Sequence, residues 1–268
     1  VRSAFRGPPF REIFRGHSSR RMMALAGAAK AQLTTSGALR AAVNVSNVFL
    51  VKGVSSKGAP LGVAPDLAKE IAKALSCPLQ LDLYAKANEL VDGAKRKEWD
   101  LAFVGSDVVR SEHIEFSPAY GEIKATCLVP EASSCQSIWC VDRPGARIAV
   151  RHGSTCDLWL QRNLQHAEIV RSDTLQSSYD LFHSQGLDAV AGLRPKLLMD
   201  LVQHPGLYRA MPGHFMMVQQ CVGCVKTEDM PSAAGEFLNE FVEKSKASGL
   251  LQELVDRHEA SGSIKVPE

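Results

Sequence analysis

The sequence predicts an α/β protein of two lobes, each a mixed, mostly parallel sheet flanked by helices, with two strands crossing between them. Three observations predict it. Strand-like and helix-like periodicities alternate along the chain, which is the pattern of a parallel sheet with crossover helices. The alternation runs once before residue 126 and again after it, and segments 125–130 and 215–223 read as strands that leave the first lobe and return to it. A length of 268 residues with 45% hydrophobic content suffices for two cores.

In the first lobe, residues 37–44 read as a strand opening into a polar loop, and 61–64 as a turn. A helix follows. Pro65 suits its first turn, Asp66 complements the positive end of its dipole, and Leu67, Ile71 and Leu75 repeat on one face. Residues 79–84 alternate with period two, 89–97 form an amphipathic helix and 101–105 a buried strand. The second lobe repeats the scheme. Residues 147–150, 168–170 and 189–191 read as strands; helices begin at Asp157 after a capped turn and run over 174–184 and 196–202. Residues 233–247 and 250–258 are helical, with Phe237, Phe241 and Val242 on one face and Gly249 as the break. The expected division is a tail over 1–34, a first lobe of 35–126 with 216–262, and a second lobe of 127–215.

The formal charge of +2 and a mean hydropathy near zero exclude a nucleic-acid-coating protein and wholesale disorder of the body. No window reaches 18 consecutive apolar residues. The charge is unevenly distributed, since residues 1–30 carry seven basic residues against Glu12 alone. Three readings of this segment stand side by side: a transit peptide, a signal around Ser19-Arg20-Arg21 with the apolar run 24–29, and an untargeted disordered tail. In each, residues 1–34 lie outside the fold. Seven cysteines at irregular spacing are no disulfide framework. Cys221 and Cys224 form a CxxC without a second ligand pair, so no metal or cofactor is expected, and Cys135 and Cys140 read as free thiols that would pair only in an oxidising compartment. There is no P-loop, no GxGxxG after a strand, no HExxH and no GxSxG.

Four segments in order resemble the family 3 solute-binding proteins, the periplasmic receptors for polar amino acids that serve ABC transporters. Gly62-Val63-Ala64-Pro65-Asp66-Leu67-Ala68-Lys69-Glu70-Ile71-Ala72 is similar to the family's helix signature. Asp100-Leu101-Ala102-Phe103, Arg110 and Ile114-Glu115-Phe116-Ser117-Pro118-Ala119-Tyr120 are similar to its central block, with Pro118 and Ala119 in swapped order. Val150-Arg151-His152-Gly153-Ser154-Thr155 and Gly186-Leu187-Asp188-Ala189-Val190-Ala191-Gly192 are similar to its second-lobe turn and strand. The resemblance covers roughly residues 35–260. It implies the two-lobe periplasmic-binding-protein-like (type II) fold with a two-strand hinge, capture of a small carboxylate ligand between the lobes, an ABC-type permease as partner, a monomer that binds no nucleic acid, and a periplasmic or extracytoplasmic location. The Arg-rich N-terminus leaves an organelle open.

By the resemblance, Arg110 pairs with the ligand carboxylate, a task suited to a planar guanidinium. Ser154 and Thr155 hold the same group where a strand gives way to a helix, or Ser154 is a plain N-cap. Gly105 and Asp107 lie on the loop before Arg110, where Asp107 has the alternative of capping a turn; Asn44 and Asn47 follow the first strand, and Asn in a loop is often structural. Tyr120 is expected to pack near the hinge. The acid that would meet a ligand ammonium falls on Leu193, and Gly192-Leu193-Arg194-Pro195 contains none. Either Asp107 supplies the charge or the ligand lacks a free amine, and Arg194 is placed to meet a second carboxylate. Two alternatives share the architecture: a dehydratase of the prephenate or cyclohexadienyl type, with His152, Asp107, Glu115 and Glu122 as its candidate acids and bases, and a ligand sensor without a transporter.

Overall fold

The computed structural model describes residues 18–56, 58–228 and 230–268. In chain order these form α1 (Ser18–Leu33), β1 (Leu39–Asn44), the short strands β2 (Gly53–Val54) and β3 (Pro60–Leu61), α2 (Val63–Leu75), β4 (Leu79–Tyr84), α3 (Ala87–Lys95), β5 (Leu101–Gly105), a 3₁₀ turn (Arg110–Glu112) and β6 (Ile114–Pro130). There follow α4 (Ile138–Val141), β7 (Arg147–Arg151), α5 (Thr155–Asn163), β8 (Glu168–Ser172), α6 (Leu175–Ser184), β9 (Ala189–Leu193), α7 (Arg194–Leu201), β10 (Tyr208–Ala210), β11 (Met216–Val225), α8 (Ala233–Ala247) and α9 (Leu250–Arg257). The chain divides into a discontinuous unit of residues 1–121 with 220–268 and a continuous unit of 122–219. Both cuts fall inside strands, β6 and β11, a few residues from the expected boundaries.

In the first unit β4, β1 and β5 pair in parallel, Ala41 standing beside both Leu81 and Leu101, and β11 runs antiparallel to β5 with Gln220 opposite Gly105. Arg40 and Asp100 fasten the starts of β1 and β5. The Asp100 carboxylate accepts the Arg40 backbone N–H at 2.8 Å and the guanidinium at 2.8 and 3.1 Å. Helix α2 starts at Gly62, whose φ of 148° and closeness to the Leu50 carbonyl leave no room for a Cβ, and buries Leu67, Ile71 and Leu75. Under the other strand face, Leu90 and Ala94 of α3 pack with Trp99, Ala102 and Ile114; the Trp99 indole donates to the Leu90 carbonyl at 2.8 Å. Pro118 lies within β6 rather than ending it, and the neighbouring Ser117 hydroxyl accepts the Val222 N–H at 3.2 Å.

In the second unit β8, β7 and β9 are parallel, β9 runs antiparallel to β6, and β10 adds antiparallel to the end of β6. Alternate strand residues feed two cores. Ile148, Val150, Ala189 and Ala191 pack with Cys156 and Leu160 of α5, while Ala149 and Val190 pack with Tyr179, Phe182 and Leu197. Thr174 closes a reciprocal capping box with Ser177 at the start of α6.

Two expectations are corrected. Residues 18–33 are not an unfolded tail: α1 packs on α8 and α2, burying Met22, Ala29 and Leu33, with Lys30 donating to the Ser76 carbonyl and Gln32 accepting the Ala234 N–H. The three buried residues stand seven and four apart, one face of a helix, which packs despite the basic composition around it. Residues 1–17 lie outside the described residues. Cys135 and Cys140 are joined as a disulfide rather than free, because the chain reverses between β6 and α4 and brings their Cα atoms to 5.3 Å. Cys221 and Cys224 are buried thiols outside any disulfide, each with its pKa pushed up by burial, Cys221 to about 11 and Cys224 to about 12.

Leu33→Ala is expected to destabilise the protein by about 2–4 kcal/mol in denaturant unfolding; a change below about 0.5 kcal/mol would mean that α1 is not part of the fold. A second test concerns Asp66. Burial works to raise its pKa, but hydrogen bonds from Lys69 and His258, both at 2.8 Å, outweigh that and hold it below the ordinary 3.8. A carboxylate with a depressed folded-state pKa stabilises fully at neutral pH and loses its contribution as pH falls below the unfolded value. Asp66→Asn is therefore expected to cost about 1–3 kcal/mol at pH 7 and progressively less below pH 3.8, measured by urea unfolding across pH.

Candidate functional site

The expected ligand-binding residues gather at strand ends. In each unit the parallel strands point their C-termini to one edge, and there backbone groups and helix starts are presented together. In the first unit β1 ends at Asn44 and β5 at Gly105, on adjacent strands. The Asn44 side-chain oxygen accepts the Ser46 N–H at 3.2 Å and its hydroxyl at 2.5 Å, and that of Asn47 accepts the Phe49 N–H at 3.2 Å. Both asparagines thus hold their loop in shape. Asp107 does the same, its carboxylate accepting the Val109 N–H at 3.0 Å and its carbonyl the Ser111 N–H and hydroxyl.

Arg110 differs from these three. It sits in the 3₁₀ turn that follows, is only 3% exposed, and donates from Nη1 to the Gly105 carbonyl at 2.5 Å. A buried guanidinium oriented by the end of its own strand is suited to a carboxylate that brings its own charge. Tyr120 is fully buried and meets Phe103 edge to face, which places it in the packing of β6 and β5.

In the second unit β7 leads through Gly153, at a φ of 67°, into α5. The Ser154 hydroxyl accepts the Asp157 N–H at 3.1 Å as an N-cap, and Thr155 opens the helix. Asp157, 2% exposed, organises this turn: its carboxylate accepts the Gly153 N–H at 2.9 Å and the Arg171 guanidinium at 2.8 Å. Arg194 begins α7 beyond the end of β9 and donates to the Met211 and Gly213 carbonyls at 2.8 and 3.2 Å. Ser154, Thr155 and Arg194 therefore share one edge of the second sheet, as Gly105, Asp107, Arg110 and Asn44 share one edge of the first.

One residue at this edge was passed over in the motif reading. Arg151 ends β7 and is half-buried, and among the described residues it makes no hydrogen bond or ion pair. Burial lowers its pKa from the ordinary value. The signal in the sequence was a cation closing an apolar strand directly before a capped turn, a place where a packed residue is the default.

The side chains considered for acid and base work are separately engaged. Glu115 is buried against the start of α8, its carboxylate accepting the Ser232 N–H at 3.2 and 3.3 Å and its hydroxyl at 2.6 Å. Glu122 accepts the Gln219 amide at 2.7 Å, and His152 is exposed. Among the described residues no group of three or more His, Cys, Asp or Glu is placed to hold a metal ion, and no helix is long and apolar enough to cross a membrane.

Solved structures share this fold. A cysteine-binding protein from Campylobacter jejuni superposes with a TM-score of 0.69 at 18% identity, over 90% of this chain and 100% of the other. AbpA from Streptococcus pneumoniae, an amino acid ABC transporter substrate-binding protein bound to L-arginine, gives 0.68 at 21%, over 88% and 99%. The ancestral amino acid-binding protein AncCDT-1, a precursor of cyclohexadienyl dehydratase, gives 0.68 at 17%, over 86% and 98%. Comparison with curated protein sequences returns no match. The family model for bacterial extracellular solute-binding proteins, family 3, matches residues 49–260, from the loop after β1 to the end of α9, so the chain belongs to that family.

Proposed function

We propose that the protein is a receptor that captures a small carboxylate-bearing solute, an amino acid or related organic acid, in an extracytoplasmic compartment and delivers it to an ABC-type permease. The observation that carries this reading is the buried Arg110 at the end of β5, within a chain of the solute-binding family. The planar fork of a guanidinium matches the two oxygens of a carboxylate, and its Nη1 is oriented by the Gly105 carbonyl. In the other unit the turn at Gly153–Thr155 is fixed by Asp157 and brings the start of α5 to the strand ends of that unit. No cofactor enters this scheme. The separate engagement of Glu115, Glu122 and Asp107 favours binding over dehydration, since general acid–base work needs such groups directed at a substrate.

The test is calorimetric titration of the full chain with a panel of amino acids and small organic acids, followed by recovery of whatever binds. The ligand is expected to return unchanged; recovery of a dehydrated product would replace this reading with the enzyme. Arg110→Lys, which keeps the charge but loses the fork, is expected to weaken binding by about 100-fold or more, with a smaller loss of stability from the unpaired Gly105 carbonyl. Affinity retained within about threefold would show that Arg110 is a structural residue only.

A further inference from the structure

The end of α6, the turn after α7 and the start of β10 bring two histidines and a tyrosine together within the second unit, apart from the residues assigned to the ligand. His183 lies in the last turn of α6, and His204 lies in the turn after α7, its N–H donating to the Leu201 carbonyl at 3.0 Å. The two imidazoles meet edge to face with centres 4.9 Å apart, and the Tyr208 ring stands 5.4 Å from the first and 6.2 Å from the second. Tyr208 is itself packed against the buried Phe182, 4.6 Å away, and its hydroxyl is hydrogen-bonded to Nδ1 of His183. Among the described residues, Nε2 of His183 and both ring nitrogens of His204 have no hydrogen-bond partner. His183 is exposed and His204 half-buried, so solvent and its ions reach the pair.

Neutral imidazole is the commonest protein ligand for borderline transition metals. Two rings bound to one ion at about 2.0–2.1 Å per nitrogen have their centres about 5 Å apart, which is the separation of His183 and His204. Tyr208 supplies what a ligating histidine needs from behind. With Nδ1–H donating to the phenol oxygen, the ring is held in place and the lone pair of Nε2 is left for the metal. Both histidines also stand at the carboxyl ends of helices, where the carbonyl dipoles favour a cation. The arginines beside them are engaged elsewhere, Arg147 at the Gln185 carbonyl and Arg209 at the Ser133 and Cys135 carbonyls. We propose that His183 and His204 form a binding site for a divalent transition-metal ion of the copper, nickel and zinc class, with Tyr208 as a positioning residue. Two side chains make an open site whose ion keeps water in its remaining positions, and the described residues hold no larger cluster of His, Cys, Asp or Glu that would compete with it.

Calorimetric titration of the full chain with Cu²⁺, Ni²⁺ and Zn²⁺, and with Mg²⁺ for contrast, tests the assignment. Cu²⁺ is expected to bind most tightly and Mg²⁺ not at all. His183→Gln and His204→Gln are each expected to weaken Cu²⁺ binding by about tenfold or more, while His166→Gln, which removes an exposed histidine elsewhere in the same unit, leaves it unchanged. Tyr208→Phe is expected to lose up to about tenfold and to alter the spectrum of the bound ion. Electron paramagnetic resonance of the Cu²⁺-loaded unmodified chain depends on no variant, and two equatorial nitrogens are expected there. Equal Cu²⁺ affinity in the unmodified chain and both variants of the pair, or a spectrum with fewer than two nitrogens, overturns the site and leaves a packing contact between α6 and β10. An equal loss in His166→Gln overturns it as well, since binding is then spread over surface histidines. Unchanged affinity and spectrum in Tyr208→Phe overturns the positioning role.

Discussion

Parallel strand pairing is the constraint on which the rest of this structure depends. Once β1, β4 and β5 run in one direction, every connection must cross back over the sheet, and α2 and α3 are the crossings. Polar residues then collect where strands end and helices begin, because backbone groups there lack partners within regular structure. The second unit obeys the same rule with β7, β8 and β9. The candidate residues thus occupy the one edge of each sheet at which loops are free to vary without disturbing the hydrogen-bond ladder.

What holds the element ends in each unit is a set of carboxylates that act on backbone, hydroxyl and guanidinium groups within their own unit. Asp100 fixes Arg40 and its N–H at the opposite, strand-start edge, and Asp157 fixes Gly153 and Arg171 beside the α5 turn. Glu115 fixes the start of α8, so closely that a side chain at Gly235 would collide with its carboxylate. Each buried acid is satisfied by two or more donors, as a buried polar group requires. Arg110 is held differently, by a carbonyl at the end of β5, to which its guanidinium donates.

Much of this was legible in the residues. The capped turn at Ser154, the face of Leu67, Ile71 and Leu75, and the break at Gly249 follow from short-range rules, and the structure places all three as read. Long-range facts were not legible. The α1 helix is a partner of α8, some two hundred residues away, and its apolar face of Met22, Ala29 and Leu33 is too sparse to stand out from a basic, alanine-rich background. The Cys135–Cys140 bond depends on a reversal of the chain after β6 that no spacing rule defines. Asn44, Asn47 and Asp107 had both a structural and a ligand reading, and their hydrogen bonds to neighbouring N–H groups supply the structural one without removing the other.

The same distinction governs how far a family likeness reaches. A fold shared at about one residue in five with cysteine- and arginine-binding proteins fixes where strands end, not which charges stand there. Selectivity is a difference of affinities, set by what a site lacks as much as by what it offers. At the end of β9 the chain offers Leu193 and then Arg194, and at the end of β7 it offers Arg151. By strand alternation Leu193 packs on the α5 face of the sheet with Val150 and Ala191, while Arg151 falls on the other face.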